Sequence, residues 1–351
     1  MASQTVWGAA LADVRTRVGS INQVARAEEL TFTQGSARGT RLIRVDTGGG
    51  LAVDILPDRA LDLGAMTFRG MPLSWIAPPG FTHPAFASQK GTDWLRMFGG
   101  GMLTTCGLDA FGPPSANPDG TYYPMHGRIS STPATVTRVE VGAEEITVEG
   151  EVRQSRVFGE NLVLRRKITA PLGSATLRIE DVVTNEAHQP TGHMVLYHCN
   201  LGWPLLSEDA ELEIPSHSLS PRDAAAARGV ASWHTLTRPQ PNYAEQVFRH
   251  DFHDLATAVV SVDNARQNTR LELRFDTSTL PALHQWKMLG EGDYVLGLEP
   301  ANVDWSRGRV AAEEEGTLPV LQPGEAVSYV LEFAIGDSRS PAPRADSKVK
   351  S

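Results

Sequence analysis

The chain of 351 residues has only two cysteines, Cys106 and Cys199, and no long hydrophobic run. Two thiols supply no disulfide framework, and both stand in apolar settings that suit buried, inert side chains. CxxC pairs and an HExxH helix are missing, which removes the usual support for structural zinc and zincin-type hydrolysis. A GxSxG elbow and a phosphate-cradling glycine loop are also missing, which weakens serine-hydrolase and nucleotide readings. No apolar stretch approaches the roughly 20 residues a membrane helix needs. No basic block occurs either: 32 Lys and Arg against 41 Asp and Glu give a formal charge of -9, with the signs mixed along the chain. Nucleic acid or an anionic membrane as the main partner is thereby disfavoured. The amino terminus MASQTVWGAALADVR lacks the basic start and apolar segment of a signal peptide, so a cytoplasmic protein with reduced thiols is expected.

What is present is strand after strand. RLIRVDT, GLAVDILP, EITVEGEVRQ, NLVLRRKITA, ATLRIEDVVTN, RLELRFDT and VSYVLEFAIG alternate in polarity, and Gly, Pro, Asn and Asp separate them. Helical patterns are few: ALADVRTRVG near the start, PRDAAAARGV, and the stretch around DWLRMF. Many strands with almost no crossover helices predict an all-β fold, a large antiparallel β-sandwich with few short helices. No repeat of regular period argues for a propeller or solenoid. The expected organisation is one sandwich domain over residues 1–336 with an amino-terminal extension, then a flexible tail over 337–351. Two long Gly/Pro-rich passages, 76–89 and 105–125, carry enough aromatic residues to serve as ordered walls of a cleft.

Three titratable groups far apart in sequence punctuate apolar segments: His126 in PMHGRIS, His198 in VLYHCNLG and Glu299 in YVLGLEPAN. Such groups are costly to desolvate unless paired or used. Each also has a plainer reading. His126 reads as a turn histidine bonded to a carbonyl, His198 as a satisfied core histidine, and Glu299 as a carboxylate holding an arginine such as Arg59 or Arg128. Strand alternation puts His198 and Asn200 on one face, a small polar patch. Asp58, Arg59 and Asp62 in LPDRALDLG form a charged cluster suited to bidentate contacts. Trp75, Trp94, Trp203, Trp286 and Trp305 offer faces for sugar stacking or for core packing. His250 and His253 in RHDFHD have a metal-like spacing but read as a solvated surface.

The succession PMHGRIS, LYHCNLGWPLL, QWKM, YVLGLEPAN and LQPGEAVSYVLEFAIG resembles the aldose 1-epimerase (galactose mutarotase-like) superfamily. PDRALDLG and GGGMLTTCGLD resemble a less characterised bacterial branch of it, and the likeness runs over roughly residues 30 to 336. The resemblance implies a β-sandwich with an open cleft, a small-molecule carbohydrate substrate and no cofactor or metal. It implies His198 as general acid, Glu299 as general base and His126 as a substrate-binding residue; Arg59, Arg128, Asn200 and Trp286 are the further substrate-binding candidates. Asp251 and Asp254 are the candidates for the family's hydroxyl-binding aspartate. Interconverting anomers needs a proton removed from the anomeric hydroxyl and one delivered to the ring oxygen. The expected arrangement has the two groups on opposite sides of the ring, Glu299 ionised and His198 protonated at the start. Two other classes fit the same residues: a divalent-metal-dependent isomerase or lyase using His126, His198 and Glu299, and a carbohydrate-binding module without turnover.

Overall fold

The computed structural model describes residues 5–252, 255–304 and 307–339. Among the described residues, every pairing between strands of the sheets is antiparallel. The expected sandwich is present as an eight-stranded sheet, a six-stranded sheet and a five-stranded sheet, with small two-stranded ribbons at the margins. In the eight-stranded sheet Thr176–Asn185 and Ala326–Gly336 lie side by side. Their buried positions recur every second residue, as a sheet with one solvated face requires.

The six-stranded sheet is different, because both faces are covered along the strands that carry the site. Its spatial order is Ser218–Pro221, Gln246–Asp251, Ala282–Leu289, Tyr294–Ala301, Met194–Leu201 and Thr104–Leu108. All eight residues of Met194–Leu201 are buried. Val195, Tyr197, Cys199 and Leu201 face the main core, together with Val148, Ile168, Leu331 and Phe333 of the opposing sheet. Met194 and Leu196 face a smaller apolar cluster with Trp94, Phe98, Cys106, Phe111 and Val247. His198 and Asn200 alternate with the first set, so they fall on the second face.

A buried ionic cluster ties the three large sheets together. Arg166 donates to both oxygens of Asp181 (2.8 and 2.7 Å), to Asp62 Oδ1 (3.1 Å), to Thr105 Oγ1 (2.9 Å) and to the Ala60 carbonyl (3.1 Å). Thr105 donates twice to Asp62, and the Tyr197 hydroxyl donates to Asp181 at 2.8 Å. Because Tyr197 precedes His198, this network fixes the strand that carries the histidine.

Two of the expected helices form, over Leu11–Arg17 and Ala224–Gly229. The second is capped by Asp223, whose carboxylate accepts from the Ala225 and Ala226 N–H groups. The DWLRMF stretch makes a short 3₁₀ turn over Asp93–Arg96, and a helix not read from the sequence covers Gly308–Glu314. Of the expected tail, Asp337 pairs with Arg69 at 2.6 Å and the Arg339 N–H donates to Asp263 at 3.0 Å. Residues 340–351 lie outside the described residues.

Candidate active site

The register of the two central strands builds the site. Leu196 opposes Ala301 and Cys199 opposes Leu298, which sets His198 across from Glu299. The next strand places His284 opposite Glu299 and Trp286 opposite Gly297. A side chain at Gly297 would collide with Glu299 Oε1 at 2.6 Å and with Trp286 Cβ at 2.9 Å, so glycine there leaves room for the carboxylate. His126 arrives from the loop after Tyr122–Tyr123. Its backbone is pinned by N–H donation to the Gly112 carbonyl at 3.0 Å, and its φ of 54° is the left-handed region that costs a non-glycine residue energy.

These residues meet at one cavity of about 430 Å³, lined by His126, His198, Glu299, Trp286, Arg222 and Glu245 with Trp94, Phe98, Pro113, Met125 and Val247 among its apolar walls. His198 Nε2 stands 3.2 Å from Glu299 Oε1. Both side chains are almost wholly withdrawn from solvent. The His126 ring packs 4.5 Å from Trp94 and 5.9 Å from His198, centroid to centroid.

Burial governs the protonation of the site. It pushes His198 down to about 3, reinforced by His126, while Asn200 favours the protonated ring more weakly. His126 is pushed down to about 4 by burial and by His284. Glu299 is held well above the usual carboxylate range, first by burial and then by Glu245, with Arg222 opposing. Desolvation thus favours the neutral pair, a protonated Glu299 beside an uncharged His198. Glu299 Oε1 and His126 Nδ1 are buried without a hydrogen-bond partner among the described residues. An unsatisfied buried polar atom typically costs about 1–3 kcal/mol, so such atoms on a cavity wall are what a polar ligand would relieve.

Several sequence expectations change. Glu299 and His198 stand side by side, not across a ring from each other, and the favoured starting state is the reverse of the expected one. Arg59 is buried outside this cavity, donating to the carbonyls of Thr82 and Met97 at 2.9 and 2.8 Å, and so holds the loops that carry Trp94 and Phe98. Arg128 lines a separate cavity and bonds Gln89 at 2.9 Å, the Tyr122 carbonyl at 2.7 Å and Asp109 at 3.4 Å. Neither arginine holds Glu299. Asn200 is enclosed behind the cavity wall, its amide donating to the Gly101 and His198 carbonyls. Asp251 accepts from Arg249 and Ser218 and lines another cavity; Asp254, His253 and Trp305 lie outside the described residues. His250 is not a solvated surface residue: it is fully buried, bonded to Ser216 and Gln285 on the sheet face opposite Glu299. Asp62 belongs to the Arg166 cluster.

Two site residues escaped sequence reasoning. Arg222 pairs with Glu245 at 2.8 Å, and Glu245 accepts from Trp286 Nε1 at 2.9 Å, forming a polar part of the cavity wall. Glu245 follows a turn and directly precedes the strand Gln246–Asp251, a carboxylate at the start of a strand just as Glu299 is one near the end of its strand. Among the described residues, no three His, Cys, Asp or Glu side chains are grouped so as to hold a metal ion.

A family model described as a domain of unknown function, DUF4432, matches residues 37–335. The chain belongs to the DUF4432 family. No curated protein matches it. Among solved structures it is similar to a Klebsiella pneumoniae protein named "putative aldose 1-epimerase", at 26% identity and a TM-score of 0.84, over 93% of this chain and 86% of that one. It is also similar to a galactose mutarotase-like protein from Clostridium acetobutylicum, at 15% identity and a TM-score of 0.63, over 90% of this chain and all of that one. A galactose 1-epimerase from Lactobacillus acidophilus aligns at 14% identity with a TM-score of 0.60, over 90% of this chain and all of that one. This DUF4432 chain therefore has the galactose mutarotase-like fold, as its motifs implied.

Proposed function

We propose that this DUF4432 protein is a mutarotase-like sugar epimerase that interconverts the anomers of a reducing sugar without a cofactor, with His198 and Glu299 as its catalytic pair. The observation that carries the reading is the 3.2 Å contact between two buried titratable groups, an imidazole and a carboxyl, at the wall of a cavity with aromatic sides. Adjacent placement suits the reaction, because the anomeric hydroxyl oxygen and the ring oxygen are bonded to the same carbon. From the neutral pair, Glu299 delivers its proton to the ring oxygen as the bond from that oxygen to the anomeric carbon breaks. His198 Nε2 accepts the proton of the anomeric hydroxyl as the carbonyl forms. The pair is then a carboxylate and an imidazolium. After rotation about the bond to the carbonyl carbon, Glu299 takes back the proton of the attacking ring hydroxyl and His198 protonates the carbonyl oxygen. The opposite anomer forms and the pair is reset.

The surrounding groups fit this chemistry. His126, neutral through burial, is a hydrogen-bonding partner for a substrate hydroxyl, and Glu245 with Arg222 offers a second set of polar contacts. Trp286 and Phe98 supply apolar faces for the C–H surface of a sugar ring. Exchange NMR between the two anomers of freshly dissolved sugars, run with and without protein, tests the reading. Accelerated exchange that survives a chelator is expected; the absence of acceleration across aldoses, ketoses and oxidised sugars would overturn it.

A further inference from the structure

The cavity at His198 and Glu299 does not end at the reacting pair. A second hollow of about 520 Å³ adjoins it and shares four of its walls, Leu95, Phe98, Glu245 and Trp286. Beyond those walls the hollow is lined by Trp75, Pro78, Pro79, Tyr243, Met288 and Asp293. The aromatic surface runs unbroken from one compartment to the other. Trp286 lies 5.4 Å from His198 and 5.9 Å from Trp75, and Phe98 lies 5.9 Å from Trp75 on the other side. Leu95, which lines both compartments, remains about half exposed, at 54%, and so presents an apolar surface to whatever enters the cleft.

We infer that the outer hollow is a subsite for a second sugar ring, so that the substrate is a reducing disaccharide or longer saccharide whose terminal reducing ring occupies the inner cavity. The inference rests on the mutarotase-like reading of that cavity and specifies its substrate. The inner cavity, at 430 Å³, already has room for one ring, and drug-sized ligand sites begin at about 300 Å³. The outer hollow is therefore surplus to a monosaccharide. Its chemistry is that of a pyranose. A sugar ring has an apolar C–H face, for which Trp75 and Tyr243 offer flat partners, and a hydroxyl edge, for which Glu245 and Asp293 offer carboxylate acceptors. A linkage at a carbon remote from the anomeric centre would carry the second ring across Trp286 and Phe98, away from His198 and Glu299. Binding energy gained there raises kcat/KM for the longer substrate without changing the reacting groups.

The test is to measure anomer exchange and binding side by side. Glucose and galactose are compared with reducing disaccharides that carry α or β 1→4 or 1→6 linkages, using exchange NMR for turnover and saturation-transfer NMR for contact. At least one disaccharide is expected to exceed its own reducing-end monosaccharide in kcat/KM by about 10-fold, the rate equivalent of one well-made aromatic contact. Trp75→Ala and Tyr243→Ala are expected to shrink that ratio towards one, with saturation transfer lost from the second ring. Catalysed exchange of monosaccharides with no disaccharide advantage would overturn the subsite and leave the mutarotase reading intact. Saturation transfer to the second ring without catalysed exchange of any sugar would do the opposite, and absence of both would remove the two together.

Discussion

Two buried polar clusters meet at the strand Met194–Leu201, and they are built to opposite rules. Around Arg166, every guanidinium nitrogen donates and each carboxylate receives several donors, Asp181 from Arg166 and Tyr197 and Asp62 from Arg166 and Thr105. Around Glu299 the carboxylate has one misaligned neighbour at 3.2 Å, and Oε1 makes no hydrogen bond. Burial is comparable, and Tyr197 and His198 are consecutive residues of one strand. Saturated pairing is what a network that joins sheets requires. Incomplete pairing at a cavity wall is what a group must retain if a ligand is to complete it. The difference separates a structural charge from a reactive one where residue type alone does not.

The largest effect expected from breaking this contrast is on the structural side. Arg166→Ala leaves Asp62 and Asp181 buried without their cation and should cost about 3–5 kcal/mol in a denaturant titration. A loss below about 1 kcal/mol would mean that the cluster is not what joins the sheets. Glu299→Gln should do the reverse for stability. The folded-state pKa of Glu299 is raised, so the folded chain holds a proton that the unfolded chain releases as pH rises above the ordinary carboxylate value. Wild-type stability should therefore fall relative to the glutamine variant between about pH 4.5 and neutrality, with the two alike near pH 4. Melting curves at both pH values check this, and equal gaps at the two would contradict the burial argument. His198, at about 3 in the fold, works with the opposite sign: it favours the native state above its ordinary pKa and withdraws that support as pH falls towards 3. The smallest effect should come from Arg128→Lys. Its side chain serves Gln89, Asp109 and the Tyr122 carbonyl away from the pair, so kcat/KM should stay within about 2-fold of wild type, inside the range of ordinary surface substitutions. A 10-fold loss would return it to the substrate.

The sandwich and two of the three residues that converge, His198 and Glu299, were legible because both rest on periodicity, whereas His126 comes from a loop. Alternation along Met194–Leu201 sends His198 to the cleft face, and the same alternation along Tyr294–Ala301 sends Glu299 there. The arginines were not legible, because a long side chain can end far from its own motif. Arg59 reaches the carbonyls of Thr82 and Met97 inside the fold, while the unremarked Arg222 meets Glu245 across a strand pair. The protonation of the pair was misread for a related reason. Charge states follow from desolvation by Trp94, Phe98 and the rest of the apolar cluster, which is assembled from segments that lie up to 209 positions apart, from Trp94 to Val303.

The central claim is that His198 and Glu299 act as one proton-exchanging unit, and a double-mutant cycle on anomer-exchange rates addresses it directly. Glu299→Gln and His198→Asn should each lower kcat/KM by about 100-fold or more with the fold intact, and the double variant should lose little beyond either single one. Losses that multiply in the double variant, or full activity of Glu299→Gln on a sugar the wild type turns over, would contradict it.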